Sequence, residues 1–404
     1  MERNKKIVIF TYDNFPFGGA PANFIRYFAM ALAQQNLDVE VILPTGNNYG
    51  CNVEVSGKRK GFTENIPYKH LFFKKHPRNY IGKFLDIILG LILPFFYVFK
   101  ANFKKKIDKI IVYNTSVSIT LIMLFIKLIF RIKIIIIIPE FYEKPKCKYF
   151  SLSLLKWYNF YFGMKYLLRY ADGYIVLSTY LKKYLEVTLK VNKPVFILPN
   201  IMDPLNFSTT ESKPFISGKI TIGYTGSPTR KDGVMDLIQA FSVLHKKHPA
   251  THLLIIGDVI NGNSLIPQLK EEANKLGVAE SITFTGLQAF SKIPELLNAC
   301  QILTLTRPNG IFAEAGFPTK LGEYFACKKP VVITGVGDIP YHFKNEEHLI
   351  IVTPEDIESI VNGFEKLIMN PELSEKLVVN AFHWMDLHLN YKNIGNKLAE
   401  FIIK

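Results

Sequence analysis

Several things are scarce in this sequence. Four cysteines (Cys51, Cys147, Cys300, Cys327) occur in 404 residues, and no two of them have metal-ligand spacing. The first residues, MERNKK, lead straight into the strand-like IVIF, so the cysteines are expected to be reduced thiols of a cytosolic protein. No Asp-x-Asp pair occurs, so a divalent metal bridging a diphosphate is not implied, and no metal site or cofactor is expected. Neither half has G-x-G-x-x-G after its first strand, which argues against a dinucleotide oxidoreductase. Acidic residues are scarce in the first half. Residues 1–200 hold 30 Lys+Arg against 12 Asp+Glu, a net charge of +18, whereas residues 201–404 carry −3. A basic half-protein attracts polyanions, either nucleic acid or an anionic membrane surface. Its aromatics are spread through apolar patterns and form no nucleic-acid motif, so no nucleic-acid partner is expected.

Long uninterrupted apolar runs are also lacking. FLDIILGLILPFFYVF (84–99) is broken by Asp86 and Pro94, and SITLIMLFIKLIFRIKIIIIIP (118–139) contains Lys127, Arg131 and Lys133. A membrane span needs about 20 apolar residues with few charges. The second run therefore reads as an apolar helix followed by a buried parallel strand. The first is flanked by KKHPRNYIGK and KANFKKK. It reads either as an interfacial helix on anionic lipid or as a core helix with solvated basic ends.

Strand and helix patterns alternate through both halves. KIVIFTY (6–12), LDVEVILP (37–44), DKIIVYN (108–114), IKIIIIIP, DGYIVLS (172–178) and VFILPN (195–200) are strand-like in the first half, with hairpin-like pieces over 51–75. In the second half, KITIGYTG (219–226), HLLIIGD (252–258), SITFTG (281–286), ILTLT (302–306) and PVVITG (330–335) repeat the scheme. Such alternation predicts α/β architecture with two doubly wound, Rossmann-like domains facing across a cleft. The expected limits are 1–200, joined by a C-terminal helix at about 387–404, and 201–386. Ligands of such sheets bind at the carboxyl ends of strands.

Three loops stand at those ends. PFGGAP (16–21) follows the first strand and holds Gly18 and Gly19. YTGSPTRKDG (224–233) holds Gly226, where backbone can approach a ligand, with Arg230 and Lys231 beside a helix start. Arg307 follows the strand ILTLT. In GFPTKLGEYFA (316–326) a helix is expected to begin near Pro318, placing Thr319 and Glu323 on one face. Two helix starts, Lys231 and Arg307 can converge on a dianion, and an ionised Glu323 suits paired hydroxyls. A diphosphate joined to a ribose diol describes a nucleotide sugar. The plainer alternatives are an exposed basic turn and a surface glutamate.

In combination, PFGGA, YTGSPTRKDG, GFPTKLGEYFA and KPVVITGVGDI (329–339) resemble the family 4 retaining glycosyltransferases of the GT-B fold, of bacterial surface-polysaccharide type. The resemblance implies transfer of a sugar from a nucleotide-diphosphate sugar with retention of configuration. Glu323 would bind the donor ribose and Lys231 the diphosphate. The backbone at Phe317, Pro318 and Thr319 would cap the phosphates, with Gly18, Gly19 and Gly226 letting loops approach them and Arg307 in the same anionic region. Front-face attack is implied, the leaving phosphate oxygen helping to remove the acceptor's proton.

The sequence departs from the family pattern in three places. The family shows two glutamates eight positions apart, but Ala315 stands eight before Glu323 and Glu314 is one step off register. Ser227 replaces the usual arginine. No histidine occurs between His76 and His245, and the corresponding strand end reads PEFYEKP, offering Glu140 and Glu143. Glu140 is expected to position the acceptor or act as a base, or else to pair with local lysines. The basic half is expected to take a glycan or polyprenyl-linked acceptor, with the enzyme peripheral on the cytoplasmic face of the membrane. The rival readings are a non-catalytic polyanion- or membrane-binding protein and a GT-B-fold sugar-nucleotide epimerase.

Overall fold

The computed structural model describes residues 5–47, 59–114, 116–145, 152–208, 213–259 and 264–404. It divides into two compact units, one of residues up to Met202 together with Tyr391–Lys404, the other Asp203–Asn390. These limits lie a few residues beyond the expected 200 and 386. The backbone N–H of Tyr391 donates to the carbonyl of Met202 at 3.0 Å, so both crossings sit at one place on the first unit.

In the first unit the order is β1 (Lys6–Thr11), α1 (Ala20–Ala33), β2 (Asp38–Leu43), β3 (Lys60–Thr63), β4 (Ile66–His70), α2 (Tyr80–Lys104), β5 (Lys109–Tyr113), α3 (Val117–Phe130), β6 (Lys133–Ile138), α4 (Leu152–Phe162), β7 (Gly173–Val176), α5 (Thr179–Lys183) and β8 (Val195–Ile197). Among the described residues these strands form one sheet, β3-β4-β2-β1-β5-β6-β7-β8. Every pairing is parallel except β3 with β4. The central strands are β-branched and buried on both faces, as Ile134–Ile138 of β6 shows with at most 3% exposure. Each such isoleucine contributes about 1.5–3 kcal/mol over an exposed one. Of the expected hairpin-like region, 59–75 is seen, with β3 and β4 antiparallel; residues 51–58 lie outside the described residues, as do Cys51 and Cys147.

Asp86 does not interrupt α2. Its inner seam is Asp86, Gly90, Pro94 and Val98, spaced four apart, with Asp86 fully buried. The carboxylate accepts from the Gly46 N–H at 3.0 Å and meets His76 Nδ1 at 2.6 Å, so it latches α2 to the loop after β2. A carboxylate satisfied in this way is tolerated inside an apolar helix. By length and composition α2 is long and apolar enough to cross a membrane. Lys127 is similarly accounted for: its ammonium donates to Asp172 at 2.8 Å and to the Tyr170 carbonyl at 2.7 Å.

The second unit runs β9 (Ile220–Thr225), α6 (Val234–Lys247), β10 (Thr251–Ile256), α7 (Ile266–Lys275), β11 (Ile282–Phe284), α8 (Ile293–Asn298), β12 (Ile302–Leu305), α9 (Ile311–Ala315), α10 (Thr319–Ala326), β13 (Val331–Thr334), α11 (Ile339–His342), β14 (Ile350–Val352), α12 (Ile357–Met369) and α13 (Pro371–His388). Its sheet, β11-β10-β9-β12-β13-β14, is parallel throughout. The sequence patterns had not indicated β14, whose three residues are too short to show a periodicity. Cys300 and Cys327 are free and buried here. The chain ends in α14 (Tyr391–Ile403), which packs on α1 in the first unit.

In each sheet the winding direction reverses beside the first strand, between β1 and β5 and between β9 and β12. Loops leaving the carboxyl ends there are splayed apart, which makes a crevice for ligand.

Candidate nucleotide-sugar site

In the second unit, the loop after β9 and the segment after β12 meet at the switch point. Gly233 opens α6 in the left-handed region, at φ +65°, and a Cβ there would stand 1.7 Å from the Thr306 carbonyl oxygen. Gly226 has φ +130°, and a Cβ there would stand 2.3 Å from the Lys320 ammonium. Glycine at these two positions lets the loop after β9 lie against β12 and against α10.

At the centre is a buried ionic cluster. Asp232 is ion-paired with the Lys320 ammonium, and Arg307 Nε donates to its Oδ1 at 3.4 Å. The buried Tyr224 hydroxyl donates to Asp232 Oδ2 at 2.6 Å, and Lys320 lies over the Tyr224 ring at 4.6 Å. Burial pushes the Asp232 carboxyl upward, but the Lys320 and Arg307 charges outweigh it and hold it below its ordinary value. Burial also pulls the Lys320 ammonium down, although Asp232 opposes this. Two cations share this one carboxylate, beside the start of α10. Among the described residues no side chain caps that helix, so the N–H groups of Thr319 and Lys320 remain available to an anion.

Glu323 lies one turn further along α10. It is half-buried, and among the described residues no hydrogen-bond donor reaches its carboxylate. Burial raises it from an ordinary 4.5 to about 7, with Lys320 opposing. An acceptor with open lone pairs, desolvated and beside an anion-binding helix start, suits a vicinal diol.

Of the remaining residues expected in this unit, some border this cluster and others do not. Pro318 stands at the N-cap of α10 and Thr319 is its first residue, as the proline suggested. Phe317 contributes backbone; its ring is buried 5.9 Å from His342 and 6.3 Å from Trp384. Lys231 is not in the cluster. It is exposed, with its ammonium 5.8 Å from the Phe312 ring. Arg307 is there, but already shared with Asp232. Ala315 is fully buried, whereas Glu314 is exposed and accepts from the Gly337 N–H at 3.3 Å. The carboxylate on α9 therefore faces outward from position 314, and the eight-residue register would have pointed it into the core.

In the first unit, Gly19 is the N-cap of α1, and among the described residues nothing lies within 4 Å of an added Cβ. Gly18 is tighter, at 3.1 Å from Ala22 Cβ and Asn14 Cβ. Arg26 fixes their loop by donating from Nη2 to the Pro16 carbonyl at 2.7 Å. Glu140 is exposed just past β6, and Glu143 is exposed further along. Asp13, past β1, lies close enough that burial first and Glu140 second raise its carboxyl, with an Asn114 hydrogen bond opposing. Glu140 also hydrogen-bonds the Tyr142 hydroxyl, whose proton burial and that carboxylate hold more firmly. Three adjacent strands, β1, β5 and β6, thus bring Asp13, Asn114 and Glu140 to one edge.

Sequence reasoning missed Lys320, Asp232 and Asp13. A signal existed for Lys320, because an ionisable residue stands three before Glu323 in an otherwise apolar helix. Asp232 and Asp13 had only their place after a strand.

Residues 208–384 match the family described as glycosyl transferases group 1. A GDP-mannose-dependent α-(1-6)-phosphatidylinositol monomannoside mannosyltransferase of Mycobacterium tuberculosis is 21% identical over 175 residues, 43% of this chain and 44% of that protein. The capsular polysaccharide biosynthesis glycosyltransferase CapM of Staphylococcus aureus is 24% identical over 188 residues, 46% of this chain and 44% of that protein. The matched segments thus span less than half the length of these relatives. Among solved structures, sucrose-phosphate synthase from Thermosynechococcus elongatus superposes with a TM-score of 0.73 at 16% identity, covering 98% of both chains, which is a likeness of fold. The chain therefore has the GT-B fold, and its residues 208–384 are similar to the glycosyl transferases group 1 family.

Proposed function

We propose that this protein is a retaining glycosyltransferase that moves a sugar from a nucleotide-diphosphate sugar to a hydroxyl of a glycan or lipid-linked glycan, in surface polysaccharide synthesis. The observation that carries this reading is Glu323. Its carboxylate has open acceptor sites one turn from an uncapped helix start, beside Lys320, Arg307 and Asp232.

In this reading Glu323 holds the ribose diol, while the N–H groups of Thr319 and Lys320 and the Lys320 and Arg307 cations face the diphosphate. Glycosyl transfer builds negative charge on the departing diphosphate, and preorganised donors stabilise it most as that charge develops. Lys231 reaches the phosphates only by leaving Phe312, so it serves as a mobile outer cation. The leaving phosphate oxygen takes part in removing the acceptor's proton, and Glu140 with Asp13 orients the acceptor hydroxyl. Gly19, with no side chain in the way, lets an anion approach the backbone of the loop that Arg26 holds in place. The relatives that act on GDP-mannose with a phosphatidylinositol mannoside, and in capsule synthesis, support the donor and acceptor classes.

In this reading the acceptor side lies at an anionic membrane surface on the cytoplasmic face, which the exposed apolar residues support. Opposite its packed seam, α2 exposes Phe84 (63%), Phe96 (58%) and Phe103 (79%), and α3 exposes Leu128 (77%). Phe95 of α2 packs on Phe125 and Phe130 of α3, so these apolar surfaces are contiguous. Lysines flank them, which fits a helix lying in a lipid interface.

A thermal-shift panel of UDP-, GDP- and ADP-sugars tests the donor site. One of them is expected to stabilise the protein, and Glu323→Ala to abolish the shift. Release of nucleoside diphosphate with a lipid-linked acceptor, undiminished in EDTA, then tests transfer. Specific donor binding without such release would favour the membrane-binding reading.

A further inference from the structure

The first unit holds a groove of about 860 Å³ between the β3–β4 hairpin and the C-terminal half of α2. It lies over the starts of β1 and β2, at Lys6 and Glu40, whereas Gly18, Gly19 and Glu140 leave the opposite, carboxyl ends of the strands. Its walls are both apolar and strongly basic.

The basic side has an unusual origin. Lys60 and Lys69 are direct cross-strand partners of the antiparallel hairpin, and both face the groove. Like charges in that relation are destabilising. Lys100 and Lys104 of α2 line the same groove from the other side. Among the described residues lining it, Glu40 is the sole carboxylate, and it is already committed. Lys6 pairs with it at 3.3 Å and the Tyr97 hydroxyl donates to it at 2.6 Å. Burial, and then the Lys60 charge, pull the Lys69 ammonium below its ordinary value, with Glu40 partly opposing. The groove therefore concentrates positive charge that the described protein does not neutralise.

The floor and rim are hydrocarbon. Phe62 of the hairpin is 75% exposed, and Phe96 of α2 is 58% exposed and belongs both to the groove and to the apolar face of α2. Tyr97 lies beneath Lys69, 5.3 Å from its ammonium. A small hydrophilic anion would leave these rings in water, and a neutral acyl chain would leave the lysines facing one another. A ligand with an anionic head and an apolar tail satisfies both.

We propose that this groove binds a single anionic phospholipid, its phosphate between Lys60, Lys69 and Lys100 and an acyl chain along Phe62 and Phe96. This goes beyond the interfacial attachment proposed above, because it assigns a site for one lipid molecule away from the carboxyl edge of the sheet. Loss of lipid binding here would leave the donor site and its thermal shift untouched, so the two readings fail separately.

The test uses the full chain with dihexanoyl phosphatidylglycerol below its micelle concentration, dihexanoyl phosphatidylcholine, and glycerol phosphate, followed by melting temperature and native mass spectrometry. A one-to-one complex and a raised melting temperature are expected with the phosphatidylglycerol alone. In the double variant Lys60→Gln, Lys69→Gln, affinity is expected to fall roughly twenty-five-fold, since each lysine beside an anionic lipid is worth about fivefold. Without lipid the same variant should melt at or above the wild-type temperature, because the opposed charges are gone; that separates a lost site from a lost fold. An equal shift with glycerol phosphate, an equal shift with phosphatidylcholine, or undiminished binding by the variant would each overturn the proposal.

Discussion

Lys320 and Asp232 are 88 positions apart in the chain and form a buried ion pair under Gly226, with Arg307 on the carboxylate's other oxygen. One carboxylate thus holds two cations at the start of α10. Asp232→Asn keeps the shape and removes the charge that both cations face, so a loss of about 3–5 kcal/mol in urea unfolding is expected. Lys320→Met should cost less, because Arg307 still neutralises Asp232, yet it should weaken nucleotide-sugar binding at least tenfold, about 1.4 kcal/mol. Full donor affinity in Lys320→Met would remove that residue from the site.

Glu323 predicts a pH dependence. Its carboxyl is raised in the folded chain from 4.5 to about 7, so the folded state holds a proton that the unfolded state has lost between those values. Stability from this group is therefore full below 4.5 and declines as pH rises through about 7. Diol binding needs the ionised acceptor, so donor affinity should move the other way and rise over the same interval. Comparing wild type with Glu323→Gln isolates both slopes; identical profiles would contradict the assignment.

The glutamate register makes a sharper contrast. Ala315→Glu restores the eight-residue spacing to Glu323 but puts a carboxylate at a fully buried position, and should destabilise the protein by several kcal/mol, on the order expected for an unpaired buried charge. Glu314→Ala should leave the melting temperature within about 2 °C, because an exposed hydrogen bond to Gly337 is worth little. Increased donor affinity in Ala315→Glu would show that the register argument is mistaken.

Gly233 tests the phosphate loop. Gly233→Ala needs a left-handed residue and meets the Thr306 carbonyl at 1.7 Å, so its cost should exceed the roughly 1 kcal/mol of backbone strain alone. A denaturant midpoint equal to wild type would mean that this loop does not pack as described.

Asp86 supplies the last test. Asp86→Ala leaves the Gly46 N–H and His76 without their acceptor, and should lower stability by about 1–3 kcal/mol, with Asp86→Asn milder. Unchanged stability in Asp86→Ala would mean that this carboxylate does not latch α2 to the loop after β2.

The sequence by itself determined the elements and their alternation. Continuous β-branched runs such as KIIIII and the helix start at Pro318 depend on neighbours a few residues away, and local sterics and burial fix them. It likewise placed Gly226 in the loop after a strand and Thr319 and Glu323 on one face of a helix start, on the side of the sheet where ligands bind. Tertiary structure alone decided which charges meet. Lys320 finds Asp232 across 88 positions, Asp86 finds Gly46, and Lys60 is set against Lys69 by the hairpin register. Lys231 looked like the phosphate cation in the sequence and faces Phe312 in the fold. Coulomb energies depend on distance and burial in space, and neither can be read from separation along the chain.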